Sequence, residues 1–378
     1  MKKDPIKRSA RIITLSQTAW LLMALAILVF SFFPQAVASY FSFGLFQYIG
    51  LGLRFITSST KLPIGEYVYL VLIIVLIINI IISLYKLKNK INTITYGTYL
   101  LLFGKKLTLK LIQLYVVFML IWGLNYQKSS EAKSFHLKID TSYTAVQLDS
   151  LSLDLMKELN QTRQILSDSF IQGIEVDQVF NNSILDYAQL KNRFPQFHID
   201  KPVLKQATFP SWGDYLGYLA FYQPITAEAI IRTDIPLLTL PYTSCHELAH
   251  QMGYASEAEA NFIAFVVATE STDALLRYSM LLQMFTYCQS EHLGLIAKTG
   301  NFENWKQIVN RNKLLLDVKV RGDRKKIKDF FIQRQHLLIP ASTPLYDQFL
   351  QWNKQAKGIK SYDEVLLWVL AYNKQSGK

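Results

Sequence analysis

The chain has 378 residues, 51% of them hydrophobic, with a mean hydropathy of +0.16, high for a protein that lives entirely in water. Its net charge of +12 sits wholly in the apolar N-terminal part: residues 1–128 hold 14 Lys or Arg and two acids, Asp4 and Glu66, leaving 26 basic and 26 acidic residues beyond. A nucleic-acid-binding face would carry its excess on a polar domain, so this distribution excludes that partner and points to membrane topology.

Lys2, Lys3, Lys7, Arg8 and Arg11 precede an apolar run over about 18–33. Residues 40–56 are also apolar but contain Gly44, Gly50, Gly52 and Arg54, and read as a helix lying in the membrane interface. Residues 66–85 form the strongest span, with Asn79 its only strongly polar interior residue. A third run, 107–124, reaches spanning length with its lysine end snorkelling. From the end of the second run to the lysine end of the third lie Lys86, Lys88, Lys90, Lys105, Lys106 and Lys110, and no acid. The positive-inside rule places that loop and the N-terminus in the cytoplasm. Three spans then put everything after Tyr126 outside, and divide the chain into a membrane domain, 1–128, and an outward-facing domain, 129–378.

The outer domain opens on a polar linker, 129–134. Leu148, Leu151, Leu155 and Leu159 recur at helical spacing within 144–170, and a second helix is expected over 176–197. Residues 215–232, aromatic and β-branched with Gly217 and Pro224 inside, read as a hairpin or paired edge strands. Such a strand could hold an extended peptide by strand addition. Residues 260–285 read as one long helix with Ile263, Val267 and Leu275 toward the core. The chain ends in amphipathic helices, the last capped by Ser361 and Glu364 after Gly358, with Tyr362 and residues 365–370 in the core. The fold class expected is α+β, mostly helical.

The chemistry concentrates in His246-Glu247-Leu248-Ala249-His250. Residues four apart on a helix lie one turn above each other, so the two imidazoles can aim at one point while Leu248 and Ala249 face the core. Two histidines and a glutamate in this pattern supply two zinc ligands and a general base. A helix start near Ser244 and an end at Gly253 are expected. Ser256 and Glu259 have the spacing of a capping box for a following helix. The third ligand is then Glu257, with Glu259 the alternative. Asn261 would orient a histidine from behind. Tyr254, Arg277 and Tyr278 are candidates for stabilising an oxyanion.

The run H-E-x-x-H followed by E-x-x-A-N resembles the gluzincin type of zinc metallopeptidase. With Pro241 and Thr243 before it, the stretch resembles an uncharacterised family of bacterial multi-span membrane proteins that carry this motif. The six-residue gap from His250 to Glu257 is shorter than in gluzincins and nearer the metzincin layout, where Ser256 would occupy the third-ligand position. The resemblance implies a zincin-like domain, bound Zn2+, a peptide or protein substrate, and the bacterial cytoplasmic membrane with the C-terminal domain on its outer side. A competing expectation is a non-catalytic membrane protein whose His/Glu cluster or zinc is structural and whose outer domain binds a partner. His136, His198, His292 and His336 have no ligand spacing and read as structural or surface groups. Cys245 and Cys288 permit a disulfide in an outward-facing domain but do not establish one.

Overall fold

The computed structural model describes residues 5–90, 96–129, 135, 137–140, 142–191, 193–300, 302–334 and 362–377. The readings of His136, His336, the linker 130–134 and the Gly358/Ser361 cap lie outside these residues. The helices in chain order are α1 (Pro5–Phe30), α2 (Pro34–Ala36), a π-helical stretch (Val37–Leu45), α3 (Phe46–Thr57), α4 (Ile64–Lys90), α5 (Tyr96–Ile121), α6 (Ala145–Ile165), α7 (Asp168–Gln172) and α8 (Val176–Leu190). After strand β1 (Leu204–Gln206) come α9 (Trp212–Leu216), β2 (Ala220–Gln223), β3 (Glu228–Ile231), α10 (Leu240–Gln251), α11 (Glu257–Glu270), α12 (Ala274–Thr299), α13 (Phe302–Leu315), α14 (Val318–Gln333) and α15 (Tyr362–Gln375).

The chain divides into two units, Met1–Phe46 with Ile64–Ser129, and Gln47–Pro63 with Ser130–Lys378. In the first, α1 packs along α5, and the Gln17 amide donates to the Lys105 carbonyl. Helix α4 is apolar all round: every Ile, Leu and Val from Val71 to Ile78 is exposed. A helix with no polar face needs an apolar surrounding on every side. Asn79 satisfies its amide within the helix, donating to Val75 O at 2.7 Å.

Among the described residues, two helices are long and apolar enough to cross a membrane, Pro34–Thr57 and Ile64–Ser83, and a shorter apolar helix covers Gln17–Phe30. The expected run 66–85 matches the second of these. The run 18–33 overshoots, because the helix stops at Phe30 and Pro34 opens a new one. The run 107–124 ends at Ile121, where a 3-10 turn over Gly123–Gln127 begins.

The second unit is built on α11, whose residues Ala258–Ala268 are all buried. Around it pack α8, α10, α12 and α15. The leucine series of α6 is fully in the core, and Thr144 and Gln147 close a capping box at its start. The expected helices over 144–170 and 176–197 are shorter, ending at Ile165 and Leu190. The expected single helix 260–285 is two. Asp273 accepts from the backbone N–H groups of Leu275 and Leu276 and restarts the chain as α12. The apolar residues on both sides of Ser271-Thr272-Asp273 disguise that cap in the sequence.

The sheet has order β1-β3-β2, with β1 parallel and β2 antiparallel to β3. The expected hairpin is therefore present over 220–231, with α9 occupying the start of the stretch. Gly213 is required there: a Cβ would come within 2.5 Å of the Arg232 side chain, which is buried and paired with Asp214 and Asp234. That cluster leads the chain from β3 into α10.

Segment 47–63 belongs with the second unit, together with Ser130–Lys378. Lys205 Nζ, buried on β1, bonds Glu228 Oε1 at 2.5 Å and the carbonyls of Thr57 at 2.8 Å and Leu62 at 2.6 Å. A fragment starting at 129 would strip two of the three acceptors from a buried ammonium.

On α8, Asp186 accepts from Ser271 Oγ at 2.6 Å, its other oxygen is buried without a partner, and burial pushes its carboxyl up to about 6. The unfolded value is about 3.9. Between these values the folded state holds more proton than the unfolded, so stability falls as pH rises through that window. Asp186→Asn should remove this slope. Urea unfolding at pH 4.5 and pH 7 measures it, and an unchanged difference between the two pH values would show that Asp186 is not the source.

Candidate metal centre

Helix α10 starts at Leu240, one turn before the expected Ser244, with Pro241 in its first turn, where a missing N–H costs nothing. The Thr243 hydroxyl donates to Thr239 O, the Tyr187 hydroxyl to Cys245 O at 2.6 Å, and the Gln251 amide clamps both backbone groups of Val203 ahead of β1. Leu248 and Ala249 are fully buried, as their side of the helix requires. The opposite side carries His246 and His250, whose Nε2 atoms stand 3.1 Å apart with the rings perpendicular.

The helix ends at Gln251. Gly253 has φ +89°, a conformation that favours glycine, and it reverses the chain. This turn places the Tyr254 carbonyl 2.7 Å from His250 Nδ1. Nδ1 therefore carries the proton and Nε2 keeps its lone pair for the centre. Helix α11 then begins at Glu257 and returns the carboxylate over the histidines, with Oε2 3.3 Å from His246 Nε2 and Oε1 3.8 Å from His250 Nε2. These three donor groups could hold one metal ion between them. Glu259 does not join them. The expected capping box is also missing, since the Ser256 side chain makes no cap hydrogen bond.

Asn261 lies beside His246, the place expected of it, and also against two tyrosines. The backbone oxygen of Asn261 receives the Tyr242 hydroxyl at 2.9 Å, and its side-chain oxygen the Tyr287 hydroxyl at 3.4 Å. Its amide is near enough to His246 to favour the charged ring, yet Nδ1 of His246 is buried without a hydrogen bond of good geometry. The two tyrosines had no spacing signal in the sequence, because they reach Asn261 from α10 and α12. Of the oxyanion candidates, Arg277 pairs with Glu158 at 3.3 Å in another cleft and Tyr278 donates to the buried Asp323 at 3.0 Å. Tyr254 is buried and its hydroxyl donates to Gln196 O at 3.4 Å.

Glu247 is 4% exposed, and its Oε2 has no hydrogen-bond partner. Burial, opposed by His246 and reinforced by Glu257, pushes its carboxyl up to about 8. Burial also drives His250 down to about 4, with His246 adding to the effect. For His246, burial opposes the charge, but the bonded Glu257 and nearby Glu247 outweigh it and hold the ring above its ordinary value. Like and unlike charges are thus packed together with little water, the condition in which a dication relieves the most electrostatic cost.

Cys245 and Cys288 are both free and buried, and burial pushes both thiols up. His198 lies at the surface against Asp200, and His292 packs on Trp305.

A family model described as "Protein of unknown function (DUF3810)" matches residues 41–370. The chain belongs to the DUF3810 family. The DUF3810 match runs from the π-helical stretch to α15, so one family module contains α3, the apolar helices α4 and α5, and the whole His/Glu cluster. No curated protein and no solved structure matches the chain.

Proposed function

We propose that this DUF3810 protein is a membrane-anchored zinc metallopeptidase. The observation that carries the reading is the spacing of the three donors. Atoms bound at about 2.05 Å to a tetrahedral centre stand about 3.4 Å apart, and the separations here are 3.1, 3.3 and 3.8 Å. Three protein donors leave the fourth position for water or substrate, the pattern of a catalytic rather than a closed structural site.

A zinc ion held by His246, His250 and Glu257 would supply Lewis acidity, lowering the pKa of a water and polarising the scissile carbonyl. Glu247, with one oxygen unbonded, takes the proton from the attacking water and hands it to the leaving amine. Positive charge at His246 favours its carboxylate form against the burial that raises its pKa. Strand β2, at the edge of the described sheet and packed beside α10, offers backbone groups to an extended peptide.

Metal analysis of the purified full chain tests the site. One zinc per chain is expected, lost in His246→Ala and in Glu257→Ala. Glu259→Ala should keep it. Equal metal in wild type and His246→Ala would refute the centre, and loss in Glu259→Ala with retention in Glu257→Ala would move the third ligand.

The reading also places the second unit outside the cytoplasm, with three spans and the lysine-rich 86–110 region inside. A reporter fused after Lys378 should be active only outside. Activity in the cytoplasm would reverse the topology.

A further inference from the structure

Helix α3 is inverted relative to a helix on a water-soluble domain. Its side toward the domain carries the polar groups: Gln47, Gly50, Arg54 and Thr57 share one face, and Arg54 is 1% exposed. Arg54 Nε donates to Asp200 O at 3.0 Å, Thr57 Oγ1 to Thr226 O at 3.3 Å in the β2–β3 turn, and Gln47 Nε2 to Met252 O at 2.8 Å. Gly50 leaves room for the guanidinium, since a Cβ there would come 2.7 Å from Arg54 Nη1. The side turned away from the domain carries Tyr48, Ile49, Phe55 and Ile56, with Phe55 and Ile56 both 65% exposed. A helix that buries its charge and displays its apolar residues is matched to an apolar medium outside.

The chain itself says which medium. Segment 47–63 runs at Ile64 directly into the all-apolar α4, and it continues at its other end from the apolar Pro34–Leu45 stretch. The Lys201 ammonium lies 4.1 Å from the Phe55 ring centroid, a cation at the rim of the apolar face where anionic headgroups would meet it. We infer that the Tyr48/Phe55/Ile56 face of α3 seats the site-bearing domain on the bilayer surface, and that the substrates are segments of membrane-anchored proteins lying close to that surface. The substrate half rests on the hydrolase reading above.

Distance gives the inference its content. Met252, which accepts from Gln47, lies two residues beyond His250, about 3 Å along the helix axis, and a helix is roughly 10 Å across. The metal donors are then roughly 10–15 Å from the lipid face. An extended peptide covers that in about three to five residues, so cleavage falls within a few residues of the membrane.

Single cysteines at positions 55, 56, 77 and 303, introduced by Phe55→Cys, Ile56→Cys, Ile77→Cys and Glu303→Cys, can carry an environment-sensitive dye. The two native thiols are buried. The full chain is placed in phosphatidylcholine/phosphatidylglycerol vesicles containing nitroxide lipids. Position 77 should be quenched by a deep nitroxide, 55 and 56 by a shallow one, and 303 only by aqueous iodide. Quenching at 77 with none at 55 and 56 overturns the seating while leaving the membrane span intact. No lipid quenching at 77 overturns both. A degenerate peptide library, offered free or on a phospholipid anchor, tests the substrate class. The anchored form should be cut at least tenfold faster, and the Phe55→Glu/Ile56→Glu variant should lose that advantage with zinc content and free-peptide rate unchanged. Equal rates for the two forms overturn the substrate class. No cleavage of either form refutes the hydrolase reading and the substrate class with it, and the dye positions still decide the seating.

Discussion

Replacing Glu247 by glutamine should leave zinc content and folding unchanged and cut peptide hydrolysis by a factor of roughly a hundred or more. Glutamine keeps the size and shape of the side chain in its 4% exposed position. It removes only the ability to accept a proton. The donors His246, His250 and Glu257 are untouched, so metal binding and catalysis separate in one variant. A hundredfold loss corresponds to about 2.7 kcal/mol of transition-state stabilisation, within the range of general-base catalysis. The variant should also retain bound peptide, which makes it a means of capturing substrate from membrane extracts. If Glu247 merely completes a structural cluster, its glutamine variant should work as well as wild type. Undiminished hydrolysis, in any assay where wild type is active, ends the peptidase proposal.

The Lys205→Ala variant should destabilise the second unit by about 3–5 kcal/mol, the cost of breaking a buried charge pair by removing one member. Glu228 is fully buried, and Lys205 is its counter-charge at 2.5 Å. An ammonium has three donors, and here Glu228, Thr57 O and Leu62 O take all three. Losing it therefore frees the 57–62 segment from β1 as well as removing the counter-charge of Glu228. The double variant Lys205→Met/Glu228→Leu should recover part of the loss. It removes both charges but still leaves the two carbonyls without their donor, at about 1–3 kcal/mol each if they stay dry. Denaturant unfolding read by tryptophan fluorescence distinguishes these cases. A change below about 1 kcal/mol in Lys205→Ala would mean that water reaches Glu228 and that the pair is not a structural anchor.

The sequence alone determined what depends on local spacing. Four residues between His246 and His250 put two imidazoles on one side of a helix, and Gly253 had to end that helix because only a left-handed residue turns the chain so sharply. The leucines of α6 and the unbroken apolar run of α4 declared their surroundings by periodicity and by its absence. Tertiary structure decided what depends on which distant groups meet. Glu257 and Glu259 differ by two positions on one helix, and only the return angle of α11 presents the first to the histidines. The split at Asp273 was hidden because α11 is buried on all sides, which erases the amphipathic pattern that marks helix ends. Arg54 within the apolar run 40–56 marks a helix in the membrane interface, but not which of its sides faces the lipid. The structure adds that Arg54 faces the domain: a carbonyl 146 residues away accepts its guanidinium, and a buried, bonded arginine leaves the apolar side of its helix outward. Composition fixes how apolar a segment is, but which of its sides meets protein and which meets lipid is set by partners that lie far along the chain.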